Sequence, residues 1–187
     1  SIWSKAQKQV TVDLLHYAAT GDAADYADFQ KNYAVLKSLR TARDMILSGH
    51  FDYQSVEDEM RRGHAMTVAI PGAVFILDHF AGAPYMKDAL QEWQSTDGSM
   101  LDLKSIADEI HRAYADNAMT PADVARQRAR IVAVNAFIEP RSNQFSLSIA
   151  HGAVWTGRVL FSGILFSAAI AIALWLWMAR RVLAGIR

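Results

Sequence analysis

The chain of 187 residues contains no cysteine. That rules out a disulfide framework and any thiolate metal site. It has only four prolines, and no run of alternating apolar and polar residues punctuated by hairpin turns, so a β-sheet architecture is not expected. Phosphate-cradling glycine loops, a nucleophile elbow and an HExxH helix are all missing, so these residues are not expected to form an enzyme. Acidic residues are absent after Glu139. All 19 acids and 15 of the 19 Lys and Arg fall in 1–157, a net charge of −4, whereas 158–187 hold Arg158, Arg180, Arg181 and Arg187 and no acid. An acidic larger part makes nucleic acid an unsuitable partner.

One long apolar run is present. Residues 159–179 form 21 consecutive positions without a charge. As a helix they would extend about 30 Å, the thickness of a bilayer's hydrocarbon core. They have almost no polar face, unlike the core helix of a water-exposed protein. Trp155 precedes the run, and Trp175 and Trp177 sit near its end, where interfacial anchors belong. Arg180 and Arg181 follow at once, which by the positive-inside rule puts the C-terminus in the cytoplasm. The expected organisation is therefore a water-exposed domain over 1–157, a transmembrane helix over 158–180 and a cytoplasmic juxtamembrane start over 181–187. The lipid bilayer is the first partner this implies. The opening Ser1-Ile2-Trp3 reads as the exit of an earlier membrane span, and the ending as the approach to a further cytoplasmic portion.

The water-exposed part has helical periodicity throughout. A first helix over 2–19 carries Trp3, Ala6, Val10, Leu14 and Tyr17 on one stripe, ends at Thr20-Gly21, and hands over to Asp22 as the next cap. The second, over 22–48, has the stripe Tyr26, Phe29, Tyr33, Leu36, Arg40, Arg43 and Leu47. A short polar helix over 53–62 points Val56 and Met60 inward, and Gly63 ends it. Residues 65–77 read as a core segment bent at Pro71-Gly72, with a helix over 72–81. From Pro84 a long helix reaches toward Asn117, with a break near Gly98 and the inner stripe Met86, Leu90, Trp93, Asp97, Met100, Leu103, Ile106, Ile110 and Tyr114. Thr120-Pro121-Ala122-Asp123 is a helix start; that helix runs to Glu139, Pro140 interrupts it, and 142–157 resume toward the membrane. The fold expected is an all-α antiparallel helical bundle ectodomain with one C-terminal transmembrane helix.

Few side chains stand out as carriers of chemistry. Arg40 and Arg43 occupy stripe positions otherwise given to Tyr, Phe and Leu. Either their stems cover apolar surface with the heads in water, or they form an anion site or a buried ion pair. Asp97, an acid on the opposing inner stripe beside Trp93, is the natural partner, in a structural salt bridge or in a ligand site. His64 and His79 flank the apolar segment and complete the candidate ligand-binding set of Arg40, Arg43, His64, His79, Trp93 and Asp97. Asp108-x-x-His111 is a lone, loose version of a helical metal motif, so no metal or other cofactor is expected. In the apolar run, Gly163-x-x-x-Ser167-x-x-x-Ala171 aligns small residues on one face, either for a homodimer contact or facing lipid.

Thr20-Gly21-Asp22, Leu39-Arg40-Thr41-Ala42-Arg43, Arg62-Gly63-His64, Phe80, Pro84-Tyr85-Met86, Ala89, Trp93 and Asp97 follow in an order that resembles the helical periplasmic sensor region of bacterial membrane-bound diguanylate cyclases (GGDEF proteins) and related sensor kinases. The resemblance implies a sensory input module in the bacterial inner membrane, periplasmic in its larger part and dimeric. It would relay a small-molecule, protein or stress signal through its last helix to a cytoplasmic cyclase or kinase domain. Two other readings remain: a single-span accessory or assembly subunit of a larger membrane complex, and a metal-dependent ectodomain enzyme.

Overall fold

The computed structural model describes residues 2–185, with side chains placed except at 152–160, 176 and 178–185. The described chain is helical, with no strand: α1 (Ile2–Thr20), α2 (Ala23–Leu47), α3 (Tyr53–Arg62), a 3₁₀ turn (Thr67–Ala69), α4 (Ile70–Phe80), α5 (Pro84–Ser95), α6 (Asp97–Ala115) and α7 (Pro121–Gly185). It divides into two compact units, Ser1–Ser148 and Ile149–Arg187, a boundary ahead of the expected one at 157.

Local chemistry sets the helix ends. Asp22 Oδ1 accepts from Ala24 N at 2.9 Å, and Asp52 Oδ2 from Ser55 N at 2.9 Å, so both acids cap free amides at the positive ends of helices. Thr120 and Asp123 form a reciprocal capping box, each side chain accepting the other's backbone N–H at 3.2 Å. Between α1 and α2 the chain turns at Gly21, whose φ is +68°. A Cβ there would lie 2.6 Å from the Tyr114 ring, which is fixed by a 3.0 Å hydrogen bond from its hydroxyl to the Ala18 carbonyl.

The first unit is built around α1. Its expected stripe of Trp3, Ala6, Val10, Leu14 and Tyr17 is buried, against Phe29, Leu36 and Leu39 of α2, Leu90 and Trp93 of α5, Leu103, Ile106 and Ile110 of α6, and Ile131, Ile138 and Phe145 of α7. A smaller second core lies on the other side of α2, where Ala42 and Ile46 meet Val56, Met60, Ile70 and Val74. The α2 stripe thus drifts around the helix, because a straight α-helix repeats every 3.6 residues and not every 3.5. The α1–α7 contact is partly polar: Asn135 Oδ1 accepts from Gln7 Nε2 at 3.0 Å and from Thr11 Oγ1 at 3.1 Å, and the Ser4 and Ser146 hydroxyls lie 2.9 Å apart. Arg130 of α7 pairs with Glu109 of α6 and holds that carboxyl below its usual range.

Two expectations need correction. The segment 65–77 is core on one face only: Ile70 and Val74 are buried, but Met66, Val68, Phe75 and Ile76 are exposed, Val68 at 87%, as is Phe80 beyond it. Pro71 does not split it, since it lies in the first turn of α4, where its missing N–H costs nothing. The break expected near Gly98 is present, at buried Thr96, whose Oγ1 donates to the Trp93 carbonyl at 2.7 Å in competition with the backbone ladder. Pro140 does not interrupt α7, which stays helical around it. Proline in a helix interior removes one backbone bond and crowds the preceding turn. Beside it, Arg141 Nη1 donates to the Phe137 carbonyl at 2.8 Å and its guanidinium lies 3.5 Å from the Phe137 ring centre.

In the second unit the described apolar stretch of α7 is Phe161–Trp175. Its Phe161, Ile164, Leu165, Phe166, Ile170, Ile172, Leu174 and Trp175 side chains are all exposed. Among the described residues no single helix is long and apolar enough to cross a membrane; one pair, Thr67–Phe80 with Pro84–Ala115, reaches that length and composition only together, bent by 103°. The longer member of that pair supplies Leu90, Trp93, Leu103, Ile106 and Ile110 to the protein core. Trp155, Arg158, Arg180, Arg181 and Arg187, expected to flank the span, lie outside the described side chains.

Substituting Gly21→Ala should lower stability by about 1–3 kcal/mol, from the left-handed backbone and the displaced Tyr114 ring together. Gly72→Ala, with no atom near its added Cβ, should be neutral or stabilising by up to about 1 kcal/mol. Thermal unfolding followed by circular dichroism checks both.

Candidate functional site

Lys37, Arg40, Thr41 and Asp44 share one face of α2 by their helical spacing. Across from them, the break at Thr96 sets Asp97 in the first turn of α6, where the helix dipole favours a carboxylate. Two helices therefore bring two arginines and two acids together.

Arg43 is the centre of the group. Its side chain is 1% exposed, and its guanidinium grips Asp97 with two bonds, Nη2 to Oδ2 at 2.6 Å and Nη1 to Oδ1 at 3.3 Å. Nε and Nη2 also donate to Asp44 Oδ1 at 2.8 and 2.7 Å. The remaining face lies 4.8 Å from the Trp93 ring centre. A planar fork saturated by two carboxylates and stacked on an indole is the arrangement in which a buried guanidinium is tolerated. Arg40 differs: its side chain is 38% exposed, its Nε lies 3.4 Å from Asp97 and 3.6 Å from Asp44, and it makes no hydrogen bond within the described residues.

These groups edge an open cleft of about 490 Å³. Trp3, Leu36, Trp93 and Met100 give it apolar surface; Tyr33, Lys37, Arg40, Thr41, Asp44, Asp97 and Lys104 give it polar surface. Burial raises the Tyr33 hydroxyl above its ordinary pKa, against the opposing pull of Lys104 and Arg40, so it is a neutral donor at physiological pH. Lys104 is already paired with Asp108, at 2.5 Å. Behind the cleft, Trp3 and Trp93 both pack on Phe145 of α7, with ring centres 5.3 and 5.4 Å away.

Of the six candidate residues, Arg40, Arg43, Trp93 and Asp97 meet here and the two histidines do not. His64 lines a separate, shallower cleft of about 370 Å³ with Lys5, Gln9 and Lys31, on a left-handed backbone (φ 60°) after α3. His79 is exposed on α4, 3.2 Å from Asp78 and stacked on Phe75. Asp108 and His111 are engaged separately. Asp108 takes Lys104 and the Tyr26 hydroxyl, while His111 stacks on Tyr26 at 4.1 Å with Nδ1 2.9 Å from the Tyr17 hydroxyl. The described residues hold no group of three His, Asp or Glu fit to bind a metal. Gly163, Ser167 and Ala171 are exposed in the second unit, with open space around a Cβ at Gly163. Sequence reasoning missed Asp44, Lys37 and Trp3. Asp44 was legible as the (i, i+4) partner of Arg40, whereas Trp3 read as core or as the exit of a membrane span.

Arg43→Ala leaves Asp97 and Asp44 with only the long Arg40 contacts and removes the guanidinium stacked on Trp93, and should cost about 3–5 kcal/mol. Arg40→Ala, which removes only long, half-exposed pairs, should cost under about 1 kcal/mol. Denaturant unfolding of the two variants measures the difference, and equal costs would contradict the division between them.

No protein-family model, no curated protein and no solved structure matches this chain.

Proposed function

We propose that the chain is the extracytoplasmic sensory input module of a dimeric transmembrane receptor of the bacterial inner membrane. On this reading 1–157 form an antiparallel helical bundle in the periplasm, 158–180 cross the bilayer and 181–187 begin the cytoplasmic side. The signal enters at the cleft between α2, α5 and α6. A cytoplasmic output domain of the diguanylate cyclase or kinase type receives it, and these residues are not themselves an enzyme.

The observation that carries the reading is the contact of Trp3 and Trp93 with Phe145. The two rings that floor the cleft touch the helix whose later residues carry the apolar run. Anything that moves those indoles changes the packing of α7, and a ligand that binds two packings unequally shifts their populations. The α1–α7 contact suits such a shift. It is part polar, and Gln7 Oε1 and Ser142 Oγ are buried within it with no hydrogen-bond partner among the described residues. Bilayer insertion is supported by the eight exposed apolar side chains from Phe161 to Trp175. Each is worth about 1.5–3 kcal/mol when taken from water. The small-residue face of Gly163, Ser167 and Ala171 supports close approach of a second copy.

The exposed apolar face of α4 favours a second reading, an accessory subunit of a membrane complex that covers Phe75, Ile76 and Phe80 with a neighbour.

A cyclase domain fused after Arg187 gives the test. In membranes, Phe145→Ala and the bulk-preserving Phe145→Leu should each change cyclic di-GMP output by about fivefold or more, the usual scale of coupling between sites. Phe75→Ser and Ile76→Ser should leave it unchanged. Unaltered output from both Phe145 variants, in correctly inserted protein, would overturn the sensor reading.

A further inference from the structure

We infer that the cleft binds a small organic anion with an apolar, preferably aromatic, body, and that Arg40 and Lys37 hold its acidic group. This rests on the reading of the cleft as the signal site and adds the class of ligand.

The argument is one of open valences. Both acids at the cleft are taken: Asp97 by the two-bonded fork of Arg43 and Asp44 by Arg43 Nε and Nη2. A cationic ligand would have to displace a guanidinium that is 1% exposed and stacked on Trp93. Two cations of the rim are less fully engaged. Lys37 has no acidic partner among the described residues, and Arg40 reaches Asp97 and Asp44 only through long Nε contacts of 3.4 and 3.6 Å, with no hydrogen bond among the described residues although it lies at the mouth. Three residues apart on α2, they sit on the same helix face. An arginine with its fork open beside a lysine is a receptor for a carboxylate or similar oxyanion. The opposite wall, with Trp3, Trp93 and Met100, is apolar and aromatic, which fixes the rest of the molecule. A volume of about 490 Å³ admits a compound of one or two rings. By spacing alone Arg40 and Arg43 are equivalent; burial commits Arg43 to the fold and leaves Arg40 accessible to a ligand.

The probe is 4-fluorophenylacetate, with 4-fluorobenzylamine as the cation of matched shape. Their binding to the full chain in nanodiscs is followed by fluorine NMR. The acid should bind with one site per chain and the amine at least about tenfold more weakly. Lys37→Gln and Arg40→Gln should each weaken the acid about tenfold, the effect of losing one charged contact, while the melting temperature stays within about 2 °C of the parent. Equal or tighter binding of the amine, acid affinity unchanged in both variants, or no saturable binding of the acid would each overturn the inference. If the acid fails to bind while Phe145 variants still alter cyclase output, only the ligand class falls and the sensor reading stands.

Discussion

The contact of Trp3, Trp93 and Phe145 is the constraint on which the rest of the arrangement depends. It joins the first helix, the wall of the cleft and the last helix at one point. Aromatic pairs at these separations contribute about 0.5–1.5 kcal/mol each beyond the area they bury. They also restrict one another: an indole between two rings cannot turn without moving both. Trp93 is further tied to the cleft's charges through Arg43, 4.8 Å from its ring centre. The charges of the cleft and the aromatic contact with α7 thus meet at one indole.

The two arginines illustrate how burial divides labour between identical side chains. Arg43 sits where water cannot reach it, so it must be fully paired, and two carboxylates from different helices converge on it. That requirement fixes the register of α2 against α5 and α6. Arg40, three residues earlier and half-exposed, carries no such obligation. On the proposed reading, a ligand held by Arg40 would not have to break the Arg43–Asp97 pair.

Much of the fold was legible in the residues. The stripe of α1, the capping box at Thr120 and the limits of α3 follow from periodicity and turn chemistry, and the structure has them where the spacing put them. What failed has physical causes. Pro140 predicts an interruption, because proline removes a backbone donor, yet one lost bond is small against the packing that holds Ile131, Ile138 and Phe145 in the core. The apolar segment 65–77 was read as core because hydrophobicity alone does not say whether a covering element exists, and over most of α4 none does among the described residues. In the candidate site, the pairing of Asp97 with one of the two arginines follows from charges on facing apolar stripes; that it is Arg43 follows from burial, which the spacing does not give. The third member, Asp44, is legible as the (i, i+4) partner of Arg40, but its contact with Arg43, the adjacent residue, does not follow from helical spacing. His64 and His79 were grouped with the arginines by chemistry; topology separates them, since α3 and α4 pack on the far face of α2.

The central claim is that the cleft's floor and the last helix form one energetic unit. A double-mutant cycle between Trp93→Leu and Phe145→Leu, read as unfolding free energies of the full chain in one bilayer mimetic, tests it most directly. The account predicts a coupling energy of about 1 kcal/mol between the two positions. Additive effects, with a coupling indistinguishable from zero, would contradict it.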